Sequence, residues 1–278
     1  MDLRPYSLSE AQINEARRLL GYQPFIVSDT VRSGAAYQWM YPESVAAAQH
    51  LGDWTSPWVV DKNRVPATDW DLFCDATARQ RAMYEDWIDA ACRFLPDLSG
   101  LTMADVACNS GYFPVAFSLR GARDAHGFDM INHGGAFDLL NGVTGSRAVF
   151  HHVAYDSTSH VVPGMEEYDI VFATAIVEHL SDPLQFLHFI SSRCGKLLLL
   201  FVPTLETKDL AITFNELKSV HFPDAPFPVC FDSVRLSVPL IYRSLELCGF
   251  NRIVEMHRRD TWVPPSFYRN RRVFMALR

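Results

Sequence analysis

The stretch that decides the fold is Asp105-Val106-Ala107-Cys108-Asn109-Ser110-Gly111-Tyr112-Phe113. Met103-Ala104-Asp105-Val106-Ala107 reads as a short buried strand, and Tyr112 to Leu119 reads as a helix. A tight strand-to-helix turn presents backbone N–H groups at a helix N-terminus. In an open α/β sheet, ligands bind beyond the carboxyl end of such a strand. Gly111 lacks a Cβ and allows close approach. Asn109 tolerates the left-handed conformation better than most side chains. Asp105, at the strand end, can accept hydrogen bonds from a cationic ligand.

Outward from this turn, short apolar runs alternate with helical stretches. Strands are expected at 124–128, 148–153, 168–174 and 196–202, with a helix at 183–192. The run Leu197 to Val202 is apolar without a break, as in a strand buried on both faces. Residues 232–248 read as helical with a kink at Pro239. Two last strands, 252–256 and 272–277, have no helix-length pattern between them and pair as an antiparallel hairpin. With the strand at 103–107 this makes seven strands in an α/β, mostly parallel, helix-covered sheet. The first part of the chain differs. Ser7-Leu8-Ser9-Glu10 matches S-x-x-E and opens a helix closed by Gly21. Pro24, Pro42, Pro57 and Pro66 punctuate the segment after it, and a long helix is expected at 75–95. The expected division is a helical accessory or lid segment at 1–96 and a catalytic domain at 97–278, with an insert at 203–231.

Asp105 to Phe113 resembles motif I of the class I S-adenosylmethionine-dependent methyltransferases, commonly D-x-G-x-G-x-G. Ala107 and Asn109 stand where that pattern has its first two glycines, and Gly111 remains. A second mark is Ala125-His126-Gly127-Phe128-Asp129, whose acidic residue falls near the separation of about 20 residues at which a ribose diol is bound. A third is Tyr168-Asp169-Ile170-Val171-Phe172-Ala173-Thr174, followed by Glu178-His179-Leu180-Ser181-Asp182-Pro183, similar to the family's fourth strand and the turn after it. Glu178 and His179 can equally be structural there, with Asp182 capping a helix that Pro183 begins. The resemblance implies a Rossmann-like, doubly wound fold and S-adenosylmethionine as cofactor. It places the cofactor against Asp105, Ala107, Cys108, Asn109, Gly111 and Tyr112, with Asp129 on the ribose beside Met130. It puts Tyr155 or Asp156 at the adenine, and Thr174 and Ala175 at the methyl-transfer wall.

Composition narrows the alternatives. The chain has 278 residues, 49% of them hydrophobic, and a net charge of −7. That acidic balance argues against a nucleic-acid partner. Seven arginines fall in the last thirty residues: Arg252, Arg258, Arg259, Arg269, Arg271, Arg272 and Arg278. They read as solvated strand ends, or else as a recognition patch for an anionic group. The six cysteines are scattered without C-x-x-C, and no histidine pattern has zinc spacing, so neither a disulfide framework nor a metal is expected. No signal-like start and no membrane-length apolar run are present, so a cytoplasmic location and no membrane partner are expected. G-x-G-x-x-G, G-x-S-x-G and the P-loop are all absent, against dehydrogenase, serine-hydrolase and nucleotide-triphosphatase readings.

The expected activity is methyl transfer from S-adenosylmethionine to a small molecule or glycan, with tRNA or RNA methylation as the alternative. A non-catalytic, methyltransferase-like interaction module is the competing class. Motif I does not choose the acceptor atom. His221 is the candidate general base, because an imidazole titrates near neutral pH. Trp262 and Tyr268 are candidates to stack on a planar substrate.

Overall fold

The computed structural model describes residues 1–34, 58–154, 161–214, 234–263 and 271–278. The chain opens with a 3-10 turn, Arg4–Tyr6, and helix α1, Glu10–Leu19. The capping box is made by Ser9 and Gln12, two residues later than the S-x-x-E reading. Ser7 is left-handed at φ 52°, closing the 3-10 turn, and so cannot take the extended shape an N-cap requires. Strands β1, Val31–Ser33, and β2, Val59–Asp61, pair antiparallel, so the N-terminal segment is not purely helical. Helix α2, Ala67–Phe94, starts eight residues earlier than expected, directly after Pro66.

The large sheet comes next: β3 Thr102–Val106, α3 Tyr112–Leu119, β4 Asp124–Asp129, α4 Gly134–Thr144, β5 Val149–His152, β6 Tyr168–Thr174, α5 Pro183–Ser192, β7 Cys194–Leu205, β8 Ile212–Phe214, β9 Val234–Ser237, α6 Val238–Leu247, β10 Arg252–Met256 and β11 Arg271–Leu277. Its main path runs β10-β11-β7-β6-β3-β4-β5. The five strands from β7 to β5 are parallel, and β11 is antiparallel to both β7 and β10. The seven expected strands are therefore all present, with the terminal hairpin as expected. Two more strands extend the end of β7, which pairs with β9, itself paired with β8.

That extension corrects the reading of 232–248. Val234-Arg235-Leu236 alternates inward and outward as a strand, and Ser237 then caps α6 through the Leu240 N–H. Pro239 sits in the first turn of α6, where its missing N–H costs nothing, so it opens the helix and does not kink it. Helix α4 was not expected, because its Gly134-Gly135 start is poor in helix formers.

Side chains alternate across the sheet with period two. Met103, Ile170, Phe172, Leu197, Leu199, Phe201, Val273 and Met275 face a core that also contains residues of α1, α2, α3 and α4. Ala104, Val106, Val171, Ala173, Leu198, Leu200, Phe274 and Ala276 face the other core, with residues of α5 and α6. The first core is aromatic at its centre. Tyr84 stacks on Phe113 at 4.7 Å, Trp87 lies 5.0 Å from Phe201, and Phe113 meets Phe172 edge-on at 5.1 Å. Each such pair adds about 0.5–1.5 kcal/mol beyond area burial. The N-terminal segment is thus bound to the sheet by a continuous apolar cluster from Met1 and Leu3 through Trp87 to Met275. Among the described residues, no helix is long and apolar enough to cross a membrane.

Candidate functional site

The turn after β3 is held in an unusual backbone shape. Ala107, Asn109 and Gly111 have φ of 62°, 46° and 84°, so every second residue is left-handed. Ala107 and Asn109 are the two positions where the motif commonly has glycine. The backbone keeps the glycine shape at a cost of about 1–2 kcal/mol for a residue such as alanine. Hydrogen bonds over-determine it: Ala107 N and Cys108 N both donate to Phe128 O, at 2.8 and 3.1 Å, and Gly111 N donates to Cys108 O at 3.0 Å. A Cβ at Gly111 would lie 2.5 Å from the Phe137 ring, so glycine also lets α4 approach the turn.

Two carboxylates flank this turn. Asp129, at the end of β4, is 7% exposed; Oδ2 accepts from Asn109 N and Oδ1 from Ile131 N, both at 2.9 Å. Each oxygen keeps a lone pair for a further donor. Asp105 is fully buried on the aromatic side of β3, and neither of its oxygens has a hydrogen-bond partner among the described residues. Burial, and then the charge of Asp129, push its carboxyl well above the usual range. A buried carboxylate without partners is a costly arrangement that a cation would relieve.

The N-terminal segment covers the turn. Gly21 N donates to Ser110 Oγ at 2.7 Å, and a Cβ on Gly21 would fall 2.2 Å from Asn109 Oδ1. That close approach, and not a left-handed helix end, is what requires glycine here; the helix ends with Leu20 in an extended conformation. Gln23 clamps the turn from both sides, donating from Nε2 to Cys108 O at 3.1 Å and accepting Tyr112 N on Oε1 at 3.0 Å. Tyr22, between them, sits edge-on to Trp58 at 5.9 Å. Burial raises its phenol well above the usual value, and the charges of Asp129, Asp105 and Glu178 add to the effect along with Tyr84. Gly21, Tyr22 and Gln23 were not expected at the site; no periodicity or motif marks them.

At the end of β6, Thr174 is 6% exposed and Ala175 turns left-handed at φ 56°, its N–H donating to Phe201 O at 3.0 Å. A 3-10 turn, Val177–His179, comes after it. Asp182 caps α5 through Gln185 N at 3.0 Å, with Pro183 opening the helix. Glu178 is 2% exposed; Oε1 accepts Arg271 Nη1 at 2.5 Å, and Oε2 has no partner among the described residues. Arg271 lies over the Phe201 ring at 5.5 Å.

Other sequence candidates sit elsewhere. The Cys108 thiol is fully buried and is pushed up by that burial and by the two aspartates. The Tyr112 ring packs among Phe25, Tyr84 and Phe113, and its hydroxyl donates to Glu85 Oε1 at 2.5 Å. Met130 is half-buried, and its carbonyl accepts from His152 Nε2 at 3.0 Å. Trp262 is 3% exposed, donates to Asp86 Oδ2 at 2.6 Å, and lines a cavity of about 210 Å³ with Phe201, Met256, Arg258 and Arg271. Tyr155, Asp156, His221 and Tyr268 lie outside the described residues.

The C-terminal arginines are neither plainly solvated nor a bare cationic patch. Arg259 pairs with Asp86, Arg271 with Glu178, and Arg272 with Glu206 and Glu255. Arg252 and Arg278 lie over Phe94 and Phe250. Among the described residues, no cluster of His, Cys, Asp and Glu could hold a metal ion.

The strand order, the terminal antiparallel pair and the turn after the first sheet strand are those of the class I, Rossmann-like methyltransferase fold. A solved structure of magnesium protoporphyrin IX methyltransferase from Synechocystis PCC 6803, with S-adenosylmethionine bound, superposes with a TM-score of 0.50 at 18% identity, over 77% of this chain and 85% of that one. The same protein with S-adenosylhomocysteine gives 0.51 at 17% identity, over 77% and 88%. In sequence, the chain is 22% identical over 222 residues to the tRNA U34 carboxymethyltransferase of Campylobacter jejuni, covering 76% of this chain and 70% of that protein. No family model matches the chain.

Proposed function

We propose that the protein is an S-adenosylmethionine-dependent methyltransferase acting on a small-molecule or glycan acceptor. The observation that carries this reading is the buried Asp105 carboxylate, unpartnered beside a left-handed turn, with Asp129 at the next strand end. This donor set fits a ligand with one cationic group and a vicinal diol. When bound, S-adenosylmethionine supplies a methyl group already activated on a positive sulfur. Asp105 would hold the α-ammonium, and Asp129 would accept from the ribose hydroxyls. Gly21, Gln23 and Tyr22 exclude water from that side of the turn. The protein's contribution is mainly alignment and dehydration. Thr174 and Ala175 would flank the cofactor at the methyl-transfer wall; acceptor-side expectations rest on Trp262, and on His221 and Tyr268 beyond the described residues.

A second reading, group transfer to tRNA, is favoured by the name of the Campylobacter jejuni relative. Two observations weigh for the small acceptor. Three of the six described arginines near the C-terminus are matched by carboxylates, and the net charge is −7. A donor carrying an extra carboxylate would also enter a site already bearing Asp105, Asp129 and Glu178. The deciding experiment is calorimetric titration with S-adenosylmethionine and S-adenosylhomocysteine, beside Asp129→Ala. Transfer of labelled methyl is then measured to a small-alcohol, amine and sugar panel and to bulk tRNA. Binding that Asp129→Ala abolishes, with label in a small acceptor, supports the first reading. Label in tRNA, lost steeply with added salt, supports the second. No binding by folded protein ends the first reading, and with it methylation of tRNA from the same donor.

A further inference from the structure

We infer that Glu178 is the residue that receives the acceptor's proton, with Arg271 as its positioning residue, on an acceptor atom that sheds a proton on methylation, such as a hydroxyl oxygen or a neutral amine nitrogen. The inference rests on the methyltransferase reading above and deepens it. Glu178 stands on the turn after β6, the strand beside β3, with Val106 paired to Ala173 in the register. The left-handed Ala175 redirects the chain at the strand end, so Glu178 comes back toward the sheet and is 2% exposed. One of its oxygens is anchored by Arg271 at 2.5 Å, and that guanidinium is itself fixed over Phe201. The other oxygen is buried and unpartnered among the described residues. A carboxylate gripped at one oxygen and bare at the other is arranged to take a donor. The described neighbours offer none.

Its position relative to the other acids sets it apart from them. Glu178 follows the end of β6, whose Phe172 and Ala173 are paired with Asp105 and Val106 of β3, so it stands at the strand end next to the one that carries Asp105. With Asp105 assigned to the ammonium and Asp129 to the ribose, Glu178 is the carboxylate with an open oxygen that is left for the reacting centre. In the reaction the acceptor's O–H or N–H bond breaks and its proton goes to Glu178 Oε2. On a hydroxyl the freed pair on oxygen forms the bond to the methyl carbon; on a neutral amine the existing lone pair forms it and the proton leaves the resulting ammonium for Glu178. In both cases the carbon–sulfur pair stays on sulfur, giving S-adenosylhomocysteine. No further reactant is needed.

Sinefungin tests the placement without knowing the acceptor, because it carries an amine where the donor carries its sulfonium methyl. A carboxylate facing that point binds sinefungin more tightly than S-adenosylhomocysteine, by about tenfold or more for a charge-assisted hydrogen bond. In Glu178→Gln the preference should vanish while S-adenosylhomocysteine affinity stays within about threefold, as that ligand lacks the group. Glu178→Gln leaves Arg271 unpaired, so the titration is repeated in Glu178→Gln/Arg271→Met, which removes both charges. Arg271→Met alone should shrink the preference by letting the carboxylate swing. Equal weakening of both ligands, or a preference untouched in both Glu178 variants, overturns the inference. Failure of the wild type to bind S-adenosylhomocysteine at all is a different outcome, which removes the cofactor reading and the inference with it.

Discussion

Replacing Asp105 by asparagine should make the protein more stable and worse at holding its cofactor. The side chain is fully buried, neither oxygen has a partner among the described residues, and Asp129 repels its charge. An unsatisfied buried polar group costs about 1–3 kcal/mol, and more when charged. Asparagine removes the charge but keeps polar atoms in the same place, so the net gain is about 2 kcal/mol, part of the charged group's cost. A chain of this size shifts by roughly 2–4 °C per kcal/mol, which gives about 4–8 °C in Tm at pH 8. The pH dependence has a definite sign. The folded pKa of Asp105 is raised, so its contribution is fully favourable below the unfolded value of about 3.9 and is lost as pH rises through the folded value. The Tm difference between Asp105→Asn and wild type should therefore widen from acid to alkaline pH. In calorimetry, S-adenosylhomocysteine should bind the variant about 10–100-fold more weakly, since a charge-assisted hydrogen bond is lost. Below the raised folded pKa, where the free protein holds this carboxyl protonated, wild-type binding should release protons, seen as a dependence of the observed heat on the buffer's ionisation enthalpy. A variant that is less stable at every pH would refute the unpaired carboxylate. Unchanged S-adenosylhomocysteine affinity would refute its pairing with the ammonium.

Three further outcomes are expected from the same geometry. Gly111→Ala should lose about 1–2 kcal/mol to its φ of 84° and about 1–3 kcal/mol to the Phe137 ring, read by urea denaturation. Adding Phe137→Leu should relieve the second part and leave the first. Gln23→Ala should free the Tyr112 amide to exchange faster with deuterium and weaken S-adenosylhomocysteine binding about tenfold, because Cys108 O and Tyr112 N lose buried partners. Gly21→Ala, whose Cβ would strike Asn109, should lower cofactor affinity by about as much, and an unaffected affinity would show that the N-terminal cover does not shape the turn.

The sheet was legible above all at its central strands, which are buried on both faces. Runs such as Leu197 to Val202 carry no competing pattern, and the two faces they serve emerge as separate cores. The elements that escaped did so for local physical reasons. Helix α4 begins with two glycines and holds by burying Phe137 and Leu140, a tertiary gain invisible in propensity. The strand at Val234–Ser237 looked helical because the apolar stretch after it is. At the site, Asp105, Asn109, Gly111 and Asp129 were readable because a strand-to-helix turn constrains its own sequence. Gly21 and Gln23 were not, since their roles are set by contact with residues almost ninety positions away. Glu178 falls between these cases. Its place after β6 could be read, but its weight depends on Arg271, some ninety residues further on, which closes on one oxygen and leaves the other bare. The sheet brings the strand ends together, and the long-range partners decide which carboxylates are satisfied and which still need a ligand. The unsatisfied ones, Asp105 and Glu178, are the two whose substitution should separate cofactor binding from proton transfer.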